Sequence, residues 1–326
     1  MEKIVFECES VTPIFMYGAD GKTPELRPAS IKGVMRFWWR AINGNKDISI
    51  LKKAESEIFG SIKNKVPGSI SKKSKIFIRV KNDENNIVKI EDIPKIPYLF
   101  YPFYLENQQK EKSCFKHIEF KIIISSNDKK ALKEAAYSFI LLSIFGGLGS
   151  RNRRGGGNFM ICNISKNEYK DFIIRNLNNI DTIYEKIKNY FYDTYKITDI
   201  TNKYSNISDL KYKISNKNFN SWDQALKDIE NKYKNFRKKR KILKNASFGL
   251  PIIFENKPQV FTEPEFDRRA SPLVIKILKI KDKYYWFVFK FKGEFLPKKT
   301  KIGLSKDKID QDIDEHVVNA FFEELK

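Results

Sequence analysis

Apolar positions along the chain repeat with period two, then with period 3.6, then with period two again, and the order of these changes predicts the fold. Residues 3–12 (Lys3-Ile4-Val5-Phe6-Glu7-Cys8-Glu9-Ser10-Val11-Thr12) alternate partly and are rich in β-formers, so they read as a strand stopped by Pro13. Turn residues follow at 17–24, and Ser30 is placed to cap a helix over about 31–41. In that helix Ile31, Val34, Met35, Trp38 and Ile42 form an apolar face, while Lys32, Arg36 and Arg40 recur every four residues on another. A short helix at 51–59, a polar connector at 61–74, a strand at 75–81 and a turn at 83–86 come next. Pro94, Pro97 and Pro102 break up the aromatic stretch Tyr98-Leu99-Phe100-Tyr101-Pro102-Phe103-Tyr104, which is expected to pack. A strand at 117–125, a helix at 129–145 capped by Asp128 or Asn127, and a strand at about 158–164 complete a β-α-β-β-α-β order, the ferredoxin-like arrangement.

From residue 166 the pattern changes to long polar helices at 167–193 and 221–243. Strands return at 247–254, 271–280 and 284–291, and a helix closes the chain from about Asp314. The expected fold class is α+β with two ferredoxin-like (RRM-like) domains, 1–165 and 166–326, the second carrying a helical insertion at about 166–245.

Between the helix at 129–145 and the strand at 158 lies Gly146-Gly147-Leu148-Gly149-Ser150-Arg151-Asn152-Arg153-Arg154-Gly155-Gly156-Gly157-Asn158-Phe159, with six of the 15 glycines. Glycine allows close backbone approach, and arginine offers a planar fork suited to phosphate. The stretch closes a helix and opens a strand, whereas dinucleotide and P-loop motifs do the reverse; it is not a nucleotide-cofactor loop. Its Arg154-Gly155-Gly156-Gly157-Asn158-Phe159 segment echoes an RNA-recognition signature, on the fourth strand in place of the third.

Charge enlarges this reading. With 62 basic and 40 acidic residues the net charge is +22, a field that attracts polyanions. Lysine abundance matches a lysine-, isoleucine- and asparagine-rich composition, so the arginines are the more informative cations. They cluster at Arg27/Arg36/Arg40, Arg151/Arg153/Arg154, Arg237/Arg240 and Arg268/Arg269. Three cysteines and two histidines, with no pair at ligand spacing, predict neither a zinc site nor a disulfide scaffold. The longest mainly apolar run, around 135–148, is too short to span a bilayer, so the expected location is cytoplasmic.

Pro13-Ile14-Phe15, Gly18-Ala19-Asp20, the block from Glu25 through Ala41 and the Gly146 to Phe159 stretch together resemble the RAMP subunits of CRISPR effector complexes, the first-numbered subunits of type III-B Cmr complexes in particular. Phe248-Gly249-Leu250-Pro251 and Arg268-Arg269-Ala270-Ser271-Pro272-Leu273 resemble the C-terminal motifs of those subunits, and about 166–245 carries no recognisable motif. The resemblance implies ferredoxin-like domains and a place in a multi-subunit ribonucleoprotein that targets foreign RNA. It implies contact with guide RNA, or with the guide–target duplex, near the end distal to the 5′ tag. It does not imply catalysis by this subunit, and the residues themselves lead to the expectation of no cofactor and no metal.

The expected RNA contacts are therefore Arg151, Arg153 and Arg154 with the loop glycines Gly147, Gly149, Gly155, Gly156 and Gly157, flanked by Lys32, Arg36 and Arg40. Trp39 is a candidate base-stacking surface, and Gly33 admits either close backbone approach or tight packing. Arg237, Arg240, Arg268 and Arg269 are further candidates for RNA, with solvation or acid pairing as the competing explanation. Two rival readings stand: a metal-independent endoribonuclease processing guide precursors, with His117 or Asp20 as candidates, and a scaffold that docks companion subunits through residues 96–104.

Overall fold

The computed structural model describes residues 1–44, 48–62, 71–82, 86–104, 112–174, 178–196, 204–254, 257–266 and 268–325. The turn expected at Asp83-Glu84-Asn85 and residues 63–70 of the polar connector lie outside that set. The N-terminal half contains β1 (Glu2–Ser10), α1 (Pro28–Ile42), α2 (Ile48–Phe59), β2 (Ile76–Lys81), β3 (Asn86–Lys89), β4 (Ser113–His117), β5 (Glu119–Ser126), α3 (Lys129–Phe145) and β6 (Phe159–Ile164). β1 pairs antiparallel with β5 and β6, and β5 with β2, giving the order β2-β5-β1-β6. Phe6 lies opposite Ile122 and Ile164, so the period-two apolar set of each strand shares one face. That face packs on α1 and α3.

The C-terminal half contains α4 (Asn179–Tyr195), β7 (Asn206–Ile214), α5 (Trp222–Lys238), α6 (Ile242–Asn245), β8 (Ile253–Phe254), β9 (Lys257–Pro258), β10 (Phe261–Glu263), β11 (Leu273–Ile280), β12 (Lys283–Lys292), β13 (Lys301–Ser305), β14 (Lys308–Asp312) and α7 (His316–Glu324). β11, β12 and β7 form a second antiparallel sheet, and β10, β13 and β14 a small third one. β7 lies inside the stretch expected to be a helical insertion; its partly buried residues 206–214 pair with β12, which long-range pairing supplies and local pattern does not.

The two faces of the second sheet fill different cores. Phe287, Phe289 and Phe291 join α1, α3 and the first sheet, whereas Trp286, Val288, Ile275 and Ile277 pack with α5 and α7. The order of layers is thus first sheet, α1 and α3, second sheet, α5 and α7. Being covered on both sides explains why α3 is buried nearly all round its circumference. Asp128 caps it, its carboxylate accepting from the Ala131 N–H at 3.0 Å. α1 starts earlier than its expected Ser30 cap: Arg27 is the N-cap and Pro28 holds the first turn, where the missing proline N–H has no cost. The aromatic stretch does pack, with Leu99, Phe100 and Phe103 buried against Phe15. Among the described residues no helix is long and apolar enough to cross a membrane.

Candidate nucleic-acid interface

The glycine-arginine loop folds back on the residues that follow β1. Ser150 N–H donates to Phe15 O, Gly157 N–H to Pro13 O and Leu148 N–H to Gly157 O, each at 2.8 Å. Two glycines make this possible. A Cβ on Gly149, at φ +77°, would sit 2.3 Å from Phe15 O, and one on Gly157, at φ +64°, 1.8 Å from Leu148 O. Gly155 lies against Leu226 of α5, and Gly155, Gly156 and Gly157 are all buried. The close approach that these glycines permit is to the protein's own backbone and side chains.

The arginines follow the same rule. Arg151 donates from Nε to Leu99 O at 2.7 Å, and Arg154 donates to Leu273 O at 2.9 Å, Phe248 O at 3.0 Å and the Tyr233 hydroxyl at 3.2 Å. Arg153 donates to Ser271 O, while its own carbonyl accepts from Ile275 N–H at 3.1 Å. Burial first, and then the charge of Arg154, pull the Arg151 and Arg153 guanidiniums down to about 10, and burial lowers that of Arg154. The loop expected to grip phosphate is instead a clamp that ties the first unit to β11 and the aromatic stretch. Arg151 and Arg154 are corrected accordingly, because carbonyls already occupy their forks.

Two residues of that clamp escaped the sequence reading. Lys276, 1% exposed, donates to Ser143 O at 2.6 Å and Gly146 O at 2.7 Å, closing the carbonyl end of α3. Burial pushes its ammonium down to about 7. Asn158 accepts from Ile277 N–H at 2.7 Å. The available signal for Lys276 was a lone lysine in the apolar run Leu273-Val274-Ile275-Lys276-Ile277-Leu278.

α1 presents the other half of the expected site. Trp39 is 0% exposed and donates its indole N–H to Glu134 at 2.7 Å, so it is not a stacking surface. Trp38 is buried as well, against Phe145, Phe289 and Phe291. Trp38 has its core in the second sheet, whereas Trp39 meets Phe59 of α2 and Phe191 and Tyr195 of α4, partners invisible in one helix's periodicity. Arg36 Nε and Arg40 Nη1 both donate to Oε1 of Glu55, at 2.5 and 2.7 Å. Glu55 is 6% exposed, but the arginine side chains are 32% and 38% exposed, so two cations share one carboxylate and leave a surplus of positive charge facing outward. Lys32 is partly buried beside them, its ammonium lowered by that burial and then by Arg36.

Gly33 is exposed in the interior of this helix, and beyond its chain neighbours and the helix's own backbone no atom lies within 4 Å of where its Cβ would stand. Tight packing is therefore not its reason. It borders a cavity of about 280 Å³ that Val34, Phe37 and Trp38 line from α1, Gly146, Gly147, Asn152 and Arg153 from the loop, and Val274 and Phe291 from the second sheet. The structure thus brings Gly33, Gly147 and Arg153 to one groove, next to the Lys32/Arg36/Arg40 stripe.

The remaining candidates lie elsewhere. Arg240 donates to Phe236 O and stacks on the Phe236 ring; Arg237 sits over Tyr98, Tyr233 and Phe248 with a buried Nε that has no partner among the described residues. Arg269 donates to Phe295 O and Glu294 O, and Arg268 is exposed. Asp20 is closed into a turn: its carboxylate accepts from the Lys22 and Thr23 amides and the Thr23 hydroxyl, which holds it down to about 2. His117 is at the end of β4 and His316 opens α7, both exposed.

Residues 7–160 match the RAMP superfamily. The CRISPR system Cmr subunit Cmr1-2 of Pyrococcus furiosus is 33% identical in an alignment over 195 residues that covers 49% of this chain and 96% of that protein. In solved structures, the fold resembles apo Cmr1 from Pyrococcus furiosus, with a TM-score of 0.71 at 21% identity over 99% of this chain and 97% of that one. It also resembles a chain of the type III-B Cmr-beta complex bound to cognate target RNA, with a TM-score of 0.58 at 13% identity over 99% and 98%. By its match to the superfamily and its likeness to nearly the whole of that Cmr subunit, the chain belongs to the Cmr1 family of the RAMP superfamily.

Proposed function

We propose that this chain is a non-catalytic, RNA-binding subunit of a type III-B Cmr ribonucleoprotein that targets foreign RNA, working with guide RNA, target RNA and companion Cmr subunits. Contact is with the guide or the guide–target duplex near the end distal to the 5′ tag. The observation that carries the RNA reading is Gly33: an exposed helix-interior glycine with open space around it, beside Lys32 and Arg36, on the rim of the groove that also holds Gly147 and Arg153. Its helix cost of roughly 1 kcal/mol has no packing reason, and a ligand backbone that must come close supplies one. The net charge of +22 draws such a polyanion toward the chain. Family membership and likeness to a chain of an RNA-bound Cmr assembly support the same reading. We also read both large sheets as ferredoxin-like. The second, as β7-α5-β11-β12-α7 in the order β11-β12-β7, has no fourth strand among the described residues.

The two rivals lose their footing on particular residues. An endoribonuclease needs an acid or base poised over RNA; of its two candidates Asp20 is engaged by its own turn, and His117 lies at the end of β4, outside the lining of the groove. A scaffold docking through 96–104 needs those rings outside, and most are packed. The test is binding of the full chain to labelled single-stranded RNA across a salt series. Lys32→Ala with Arg36→Ala leaves Glu55 its bond to Arg40, and should lower affinity roughly tenfold and flatten the log–log salt slope by about 1.4 if each cation meets one phosphate. Unchanged affinity and slope would overturn the reading.

A further inference from the structure

The groove between α1 and the loop holds more than a phosphate path requires. Its floor is made of aromatic rings: Phe37 and Phe291 meet edge to face with centroids 5.6 Å apart, and Trp38 lies 5.8 Å from Phe291. The Arg153 guanidinium stands over both phenylalanines, 5.3 Å from Phe37 and 5.0 Å from Phe291, anchored there by its bond to Ser271 O. Phosphate gains nothing from such a floor, whereas any nucleobase has a π-face that stacks on aromatic rings and on arginine.

Size and polarity agree. The cavity, about 280 Å³, falls just under the roughly 300–1,000 Å³ of pockets that hold drug-sized ligands, and so suits one ring system. Among the described residues, no carboxylate lines it. Asn152 does line it, its carboxamide nitrogen only 3.4 Å from Gly147 O, a long contact that leaves one donor and one acceptor to meet a base edge. Gly33 and Phe37 stand four residues apart on α1, hence on one face, with the Lys32/Arg36 stripe one residue round the helix. A strand whose phosphates run along that stripe brings its base to the cavity mouth at Gly33.

We infer that the groove takes a single unpaired RNA base out of the stack, held against the Phe37/Phe291 floor beside the Arg153 guanidinium and the Asn152 amide. This rests on the RNA-binding reading and adds a requirement to it: the nucleotide seated there is not base-paired.

The test compares the full chain's affinity for a single-stranded RNA oligomer with that for an abasic ribose-phosphate oligomer of equal length and charge. Wild-type protein should prefer the base-bearing strand about tenfold, the range of one stacked base. Phe37→Leu, which keeps an apolar side chain, and Asn152→Ala, at a partly exposed position, should each shrink that preference while abasic binding stays as it was. Equal binding of both oligomers by wild-type protein overturns the base pocket and leaves phosphate binding standing. Binding of neither removes the RNA reading itself. A preference unmoved by either variant, with capture of a purified companion Cmr subunit lost, assigns the groove to protein and overturns the inference.

Discussion

The loop at 146–158 and the outer face of α1 carry the same residue types, glycine beside cations, and direct them in opposite senses. In the loop the glycines admit Phe15 and Leu148 backbone, and the arginines meet the carbonyls of Leu99, Ser271, Phe248 and Leu273. On α1 the glycine has open space around it, and two arginines share a single carboxylate. Composition identifies groups able to bind phosphate; it does not say whether the fold has already given them partners. A carbonyl left without a donor in a core costs on the order of 1–3 kcal/mol. A fold that joins two sheets around one helix layer leaves many such carbonyls at the seam, and the planar guanidinium fork meets several at once.

The comparison breaks most visibly at Arg154. Replacing it by methionine removes four hydrogen bonds and leaves the Leu273 and Phe248 carbonyls without that donor. Arg154→Met should destabilise the fold by about 3 kcal/mol or more in urea unfolding. Were the loop an RNA grip, the same variant would lower RNA affinity at unaltered stability.

Lys276 probes the same seam through pH. Its ordinary value is 10.5 and burial brings it to about 7 in the folded chain. Below pH 7 both folded and unfolded chains hold the proton, and this lysine adds no slope. Between about 7 and 10.5 the unfolded chain binds a proton that the folded chain has released, so stability rises with pH. At about 1.4 kcal/mol per unit, the rise from pH 7 to 9 approaches 2–3 kcal/mol. Lys276→Met should lack that part of the rise when unfolding free energies are compared at the two pH values. A slope identical in both proteins would mean that the Ser143 and Gly146 carbonyls, at the negative end of α3, keep the ammonium charged.

Much of this was legible in local pattern. The strands at 3–12 and 271–280, the helix at 129–145 and its Asp128 cap follow from periodicity and turn chemistry, and α3 has the expected bounds. β7 was not legible, because its residues at 206–214 are only partly buried and their register is set by β12 some eighty residues later. The fates of Trp38 and Trp39 were equally hidden. One apolar stripe implies one core, and the fold supplies further ones, from the second sheet for Trp38 and from α2 and α4 for Trp39. Of the candidate site, Lys32, Gly33, Arg36 and Arg153 could be named from sequence, whereas the aromatic floor could not: Phe37 and Phe291 meet only in the fold.

Gly33→Ala has the smallest effect on stability and separates the two regions most cleanly. An added Cβ meets no atom within 4 Å beyond its chain neighbours and its own helix backbone, and the helix gains by roughly 1 kcal/mol, so the unfolding midpoint should rise by about 2 °C. At Gly147 the same change puts Cβ 2.9 Å from Gly157 O and should lower it. If the open side of α1 exists for a ligand, Gly33→Ala must weaken RNA binding while it strengthens the fold, since the methyl group holds the strand away from the helix backbone. Protein packing alone does not produce that pair of opposite signs. A stabilised Gly33→Ala chain with unaltered RNA affinity would make Gly33 a merely tolerated residue and dissolve the contrast between α1 and the loop.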